Sequence, residues 1–152
     1  MSLAPSEIEW TSADELGFAD LDDDHRGLIE ILNRIITAVS IENRAECKKN
    51  AYEFSQALIL HFANEERFLD EIRYSHLDKH KTHHQSLLEG ALAFSRLSRG
   101  PENFEMLSRH LEELKNGLLE DVRGGDHYFI KFLEGEGRDE TVKSKLVSSL
   151  PN

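Results

Sequence analysis

Residues 44–70 read RAECKKNAYEFSQALILHFANEERFLD, and the spacing of their apolar side chains decides the fold class. Neither proline nor glycine interrupts the stretch. Apolar residues that recur at intervals of three and four form one face of an α-helix rather than of a strand. The inner stripe consists of Ala51, Phe54, Leu58, Phe62 and Leu69. We therefore predict one long amphipathic helix over residues 44–70.

The same period recurs in three other parts of the chain and predicts three more helices, over about residues 22–41, 77–97 and 102–122. Asp22 or Asp23 is the expected cap of the first helix, and Pro101 suits the first turn of the fourth. Four amphipathic helices with short connections predict an all-α fold, an antiparallel up-down four-helix bundle.

The ends of the chain do not follow the helical period. Residues 1–20 are expected to form an irregular N-terminal arm. The bundle domain is predicted over residues 1–134, and residues 135–152 are expected to form a tail that packs on the domain or trails from it. Residues 140–150 within that tail predict one more short helix.

Composition excludes several classes of partner and site. The chain has 152 residues, with 18 basic and 29 acidic side chains and a net charge of −11. Nucleic acid and anionic membranes both require a basic face, so neither is expected as a partner. No apolar run approaches the roughly 20 residues of a membrane span. The single cysteine, Cys47, excludes an internal disulfide and a cysteine-based zinc site, and we expect a cytoplasmic protein without a signal peptide.

Histidine is the unusual residue, with eight in the chain. His61 and Glu65 stand four apart on the second predicted helix, and His80 and His84 stand four apart on the third, so each pair projects from one face. His25 follows a run of aspartates at the start of the first helix. Each group alone could be an ordinary surface or capping feature. Together, four histidines and one glutamate exceed the needs of a single metal and suggest two metals that share Glu65.

The fourth predicted helix offers two carboxylates, Asp121 and Asp126. Residues five apart lie about 140° apart on an ideal helix, which is not one face. Gly124 and Gly125 lie between them and permit the helix to loosen or to end, so both carboxylates could reach the interior. The alternative is that either aspartate is a solvent-exposed residue at the helix end.

These elements together resemble the hemerythrins, in particular the bacterial hemerythrin domains, over about residues 8–133. The segment 16–25, ending in Asp24-His25, is similar to the N-terminal arm and first histidine of the family. Residues 61–66 are similar to the family element His-Phe-x-x-Glu-Glu. Residues 74–84 are similar to Tyr-Pro-x-Leu-x-x-His-x-x-x-His, with serine in place of the proline.

The resemblance implies an antiparallel four-helix bundle with a non-haem di-iron centre, an oxo or hydroxo bridge, and O2 as the ligand. It places His80 and His84 on one iron, and His25 and His61 on the iron that binds O2. Glu65 and Asp126 would bridge the two irons. The implied O2 pocket consists of Leu28, Phe62, Gly117, Leu118 and Val122.

The chain departs from the family on the fourth helix, where the family element is Trp-Leu-x-x-His-Ile-x-x-x-Asp. Counted from Asp126, the fifth histidine is replaced by Asp121 and the pocket tryptophan by Gly117. If Asp121 binds iron, its negative charge favours the ferric state and makes a reversible O2 adduct harder to keep. Gly117 should leave space that water or a small substrate could fill. The alternative is that Asp121 does not bind.

The sequence leaves several functions open. The first is O2 binding for sensing, storage or delivery, with a separate signalling or redox partner. The second is a di-iron oxidase or peroxidase, or a scavenger of NO or peroxide, so whether the protein is an enzyme stays undecided. The third is iron handling without O2 carriage, and the fourth is a metal-free interaction domain.

Overall fold

Four helices make up the fold in a computed structural model that describes residues 4–126 and 130–132. They are α1 (Ala19–Ser40), α2 (Arg44–Glu71), α3 (Leu77–Ser98) and α4 (Phe104–Glu120). No strand occurs within those two ranges. Each helix packs against the next one along the chain and α1 also packs against α4, which closes the bundle. The predicted all-α four-helix bundle is confirmed, and the predicted C-terminal tail lies outside the described residues.

The starts of two helices differ from the sequence-based expectation. α1 begins at Ala19, and Asp22 lies inside it instead of capping it. The Asp22 carboxylate instead accepts hydrogen bonds from the backbone N–H groups of Leu16 (2.9 Å) and Gly17 (3.3 Å), and thereby holds the arm against the helix. Gly17 adopts a φ of +87°, which glycine tolerates better than other residues.

α4 begins at Phe104 rather than around Pro101. Asn103 caps it, because the Asn103 side chain accepts a hydrogen bond from the Met106 N–H at 2.9 Å. Pro101 therefore lies in the connection. Arg44 fixes that connection by donating hydrogen bonds to backbone carbonyls, which belong to Ser98, Gly100 and Glu102.

Two apolar clusters fill the bundle. The larger one runs along all four helices and includes Leu32, Phe54 and Leu111, which are fully buried. The smaller one joins the arm to the first turn of α1 and the last turn of α2, and it includes Phe18 and Phe68. Between them along each helix lies a set of buried polar side chains, so apolar packing limits the access of water to it from both directions.

The arm is also tied to the bundle by polar contacts. The Ile8 N–H donates to Asn33 Oδ1 at 2.8 Å, and Asn33 Nδ2 returns a hydrogen bond to the Ile8 carbonyl at 2.9 Å. The Arg123 guanidinium holds the buried Asp14 carboxylate at 2.6 and 3.2 Å. Among the described residues, no helix is both long enough and apolar enough to cross a membrane.

Candidate metal centre

Each helix contributes buried side chains of types that can bind metals to the polar layer between the two apolar clusters. α1 supplies His25, α2 supplies His61 and Glu65, α3 supplies His80 and His84, and the continuation of α4 supplies Asp121 and Asp126. All seven are at most 6% exposed. The i,i+4 pairs reach the same layer because their side chains leave one face of each helix.

Six of the seven form two groups, in each of which the candidate ligand atoms lie within 4.8 Å of one another. The first group contains His25 and His61, and the second contains His80 and His84. Both groups include Glu65. Asp126 also belongs to both. Two metal positions with two shared carboxylates are therefore possible within one buried layer.

The shared carboxylates present one oxygen to each group. Glu65 Oε2 lies 3.2 Å from His61 Nε2, whereas Glu65 Oε1 lies 2.6 Å from His80 Nε2 and 3.2 Å from His84 Nε2. Asp126 Oδ2 lies 2.8 Å from His25 Nε2, and its Oδ1 lies 3.1 Å from His80 Nε2. This is the arrangement that a carboxylate needs in order to bridge two cations.

Although several of these atoms lie close together, many of them make no hydrogen bond of acceptable geometry within the described structure. They include both oxygens of Asp121 and Asp126, both ring nitrogens of His25, and the Nε2 atoms of His61 and His84. Burying polar atoms without partners costs on the order of 1–3 kcal/mol each, and more when they are charged. Bound cations would satisfy them, and imidazole with carboxylate is a donor set that suits iron. The residues therefore fit a pair of iron ions.

The electrostatics of the metal-free centre show strong coupling between rings and carboxylates. Burial lowers the pKa of His61, but the hydrogen bond with Asp24 and the close Glu65 carboxylate outweigh it and raise that pKa to about 10. At His80 and His84, too, burial lowers the pKa but the neighbouring carboxylates outweigh it, and they raise the pKa of His80 to about 9 and that of His84 to about 11. Burial raises the pKa of Glu65, but the three neighbouring imidazoles hold it well below its ordinary value. Protons therefore compete with metal at these rings.

Two further carboxylates orient the rings from outside the two groups. Asp24 Oδ2 lies 2.9 Å from His61 Nδ1, and Glu66 Oε2 lies 2.9 Å from His84 Nδ1. Each contact favours the tautomer that leaves Nε2 free for a metal. Asp24 was missed, although its place immediately before His25 was a usable signal.

A π-helical turn, Asp121–Gly125, extends α4 and sets the register of its carboxylates. The Asp126 N–H donates to the Asp121 carbonyl, an i→i+5 hydrogen bond. Because five residues close this turn, Asp121 and Asp126 reach the same side, which an ordinary α-helix would not allow. Gly124 and Gly125 permit a wider turn, as expected, but they do not end the helix. Neither aspartate is solvent-exposed.

Asp121 lies beside the second group without belonging to either group of mutually close atoms. Its Oδ1 is 3.3 Å from His84 Nε2 and 3.8 Å from His83 Nε2. Asp121 stands at the chain position where the resemblance places a histidine ligand, and its carboxylate lies close to the second group.

The expected pocket residues Leu28, Phe62, Leu118 and Val122 are all buried in the larger apolar cluster. The Phe62 ring stacks on the His84 ring with a centroid distance of 3.8 Å. Beside Gly117 the space on the α3 side is limited, because a Cβ there would lie 3.0 Å from Leu87 Cδ1, and the expected space for water or a small substrate stays a prediction. Leu87 reaches across from α3, so a larger side chain at this half-buried position would have to displace or avoid it.

An open cleft lies on the outer side of the second group. A cleft of about 630 Å³ is lined by Tyr74, Lys79, His80, His83, Glu120 and Gly125, among others. Gly125 lacks a side chain that would stand 3.5 Å from His80 Cε1 and 3.9 Å from Asp121 Oδ1. The cleft therefore brings solvent close to the second group but not to the first.

Comparisons with known proteins agree with this geometry. Residues 16–133 match the family described as the hemerythrin HHE cation-binding domain. A bacteriohemerythrin from Methylococcus capsulatus is 28% identical over 84 residues, which are 53% of this chain and 63% of that protein. The aligned part is therefore less than two-thirds of that relative.

A solved crystal structure, described only as that of a leucine-to-phenylalanine mutant, superposes with a TM-score of 0.71 at 17% identity. The superposition covers 82% of this chain and 95% of the other, and at this identity it supports the fold alone. The family match covers most of the chain and confirms the resemblance of the histidine motifs. The chain therefore belongs to the hemerythrin family of HHE cation-binding domains.

Proposed function

We propose that this protein is a non-haem di-iron protein that binds O2 in the interior of the bundle. The observation that carries the proposal is the pair of buried four-residue groups that share Glu65 and Asp126. Each of these carboxylates presents one oxygen to each group. A mononuclear site would need only one such group. The two iron ions, when bound, would supply the electrons that O2 accepts.

The roles of the residues follow from their positions. His25 and His61 would hold the first iron, His80 and His84 the second, and the two shared carboxylates would bridge them. Asp24 would keep His61 oriented for binding, as Glu66 would for His84. The buried apolar side chains of the expected O2 pocket would keep water away from O2. They include Leu28, Phe62, Leu118 and Val122.

We further propose that Asp121 is the seventh protein ligand, bound to the second iron. Its complete burial and its two unpartnered oxygens support this role, because an isolated buried carboxylate is costly. The donor set would then be four histidines and three carboxylates. The additional negative charge stabilises ferric over ferrous iron and lowers the reduction potential relative to a five-histidine centre.

A second candidate function, a di-iron oxidase or peroxidase, is favoured by the cleft that reaches His80 and His83. A small substrate in this cleft would lie beside the second iron, and a low potential would favour electron transfer from ferrous iron to O2 or peroxide. Iron handling without O2 chemistry is a third candidate. A separate redox or signalling partner and a cytoplasmic location stay predictions from the sequence.

Metal content and the O2 response test these candidates together. The protein is loaded anaerobically with two equivalents of Fe²⁺, its iron is counted, O2 is admitted and then removed, and the visible spectrum is recorded throughout. We expect two bound irons and a charge-transfer band that appears with O2 and disappears on its removal, which would mean that O2 binding tolerates the additional charge of Asp121. Irreversible conversion to a diferric spectrum would favour the oxidase, and no O2-dependent change would favour iron handling.

Matched variants make the metal count specific. His84→Ala should lower the iron count, because it removes a nitrogen from the second group. His110→Ala, which changes an exposed histidine on α4, should leave the count at two. Equal iron content in the two variants would contradict the assigned site.

A further inference from the structure

His83 is adjacent to a candidate ligand, but it points to a different side of α3. Its side chain is 35% exposed and lines the cleft. Its Nε2 atom, however, is buried and has no hydrogen-bond partner within the described structure. The nearest acidic atom to this nitrogen among the ion pairs is Asp121 Oδ1, at 3.8 Å. Two buried polar groups without partners therefore face each other.

The position of Asp121 explains what this contact could do. Asp121 Oδ1 lies between two rings, 3.3 Å from His84 Nε2 on the metal side and 3.8 Å from His83 Nε2 on the cleft side. A hydrogen bond to a carboxylate has a donor–acceptor distance of about 2.8 Å, so a movement of about 1 Å would complete one with His83. A neutral imidazole with its hydrogen on Nε2 is a sufficient donor.

We propose that His83 is a positioning residue of the metal centre, which donates a hydrogen bond to Asp121 and thereby determines how this carboxylate meets the second iron. The inference rests on the proposed di-iron function and on Asp121 as a ligand. A carboxylate can bind a metal through one oxygen or through both. A donor on one oxygen favours binding through a single oxygen, and it also disperses the charge of the third carboxylate.

The cleft gives His83 a second effect on Asp121. Asp121 is fully buried, and the His83 imidazole stands between its Oδ1 and the cleft. Removing the imidazole would admit water to the carboxylate, and water would compete for its oxygens. His83 therefore acts on the second iron position, beside which the cleft lies, rather than on the first.

Three substitutions separate these effects. His83→Leu removes the donor but keeps an apolar side chain of similar reach. His83→Gln keeps an N–H donor on a side chain of comparable length. His76→Leu is the matched control, because His76 lines the same cleft but contacts the Tyr74 ring rather than Asp121.

The experiment follows iron release from the fully loaded protein to a coloured Fe²⁺ chelator, after the iron count of the unsubstituted protein has been measured. Partners that orient metal ligands typically contribute about 10–100-fold to metal affinity. We therefore expect one of the two irons of His83→Leu to be released about 10–100-fold faster, and the other at the unsubstituted rate. His83→Gln should recover most of this loss, and His76→Leu should behave as the unsubstituted protein.

Two readouts exclude a merely structural effect. In ⁵⁷Fe Mössbauer spectra, only one of the two iron signals should change in His83→Leu. In an Asp121→Ala background, His83→Leu should have no additional effect on release, because the two residues act through one contact.

Several results would overturn the inference. They are unchanged release from His83→Leu, equal acceleration of both irons, or an effect that persists in the Asp121→Ala background. Failure of the proposed function is distinguishable, because the unsubstituted protein would then bind fewer than two irons before any variant is compared, and the role of His83 would fall with it.

Discussion

Gly117→Trp tests most directly whether the interior of this bundle has room for the aromatic side chain of its relatives. A Cβ at position 117 would lie 3.0 Å from Leu87 Cδ1, and Leu87 is only 6% exposed. Adding a large side chain to a packed core costs about 1–3 kcal/mol. Replacing a glycine inside a helix returns roughly 0.5–1 kcal/mol. We therefore expect Gly117→Trp to lower the free energy of unfolding by about 0–2.5 kcal/mol.

The cause of this loss can be isolated by a double-mutant cycle. Leu87→Ala alone should cost about 2–5 kcal/mol, because it leaves a cavity. With Gly117→Trp the indole would occupy the vacated space, so the double variant should be more stable than the sum of the single losses by about 1–3 kcal/mol. Urea unfolding of the metal-free protein, followed by far-ultraviolet circular dichroism, measures all three energies.

A second glycine supplies the control for helix propensity. A Cβ at Gly90 would lie 4.0 Å from Leu114 Cδ1, which is an ordinary contact. Gly90→Ala should therefore stabilise the protein by about 0.5–1 kcal/mol. Strictly additive energies in the cycle would refute the conclusion that Leu87 limits the space beside Gly117.

Three further predictions concern acidity, ligand orientation and the arm. The His84 pKa is raised to about 11 from an ordinary 6.5, so the contribution of this ring to the stability of the metal-free protein is present below pH 6.5 and is lost as pH rises towards 11. Thermal unfolding should therefore occur at a lower temperature at about pH 10 than at pH 6.5. The reverse order would contradict the pairing of His84 with its neighbouring carboxylates. Asp24→Ala should weaken binding of one iron about 10–100-fold in a chelator competition, whereas Asp23→Ala, at an exposed position, should not. Arg123→Ala should lower the free energy of unfolding by about 1–2 kcal/mol, because it leaves the buried Asp14 carboxylate without its cation. If urea unfolding is unchanged by this substitution, other contacts hold the arm.

Much of the centre could be predicted from the sequence because its ligands follow local rules. His61 with Glu65 and His80 with His84 lie one helical turn apart, and helical periodicity alone brings each pair to one face. The number and approximate bounds of the helices follow from the same periodicity. The start of α1 was less predictable, because the Asp22 carboxylate accepts hydrogen bonds from the N–H groups of Leu16 and Gly17 in the arm instead of capping the helix.

The remaining features depend on contacts between residues far apart in the chain. Asp24 meets His61 across 37 residues, and Leu87 reaches Gly117 across the bundle, so neither contact has a local pattern.

The sequence by itself determined the four amphipathic helices and the histidine pairs, because both depend on the period of a single helix. Only the tertiary structure decided the register of Asp121 and Asp126, the approach of Leu87 to Gly117 and the approach of His83 to Asp121. These depend on one π-helical turn and on how neighbouring helices pack, which the spacing of residues along one helix does not specify.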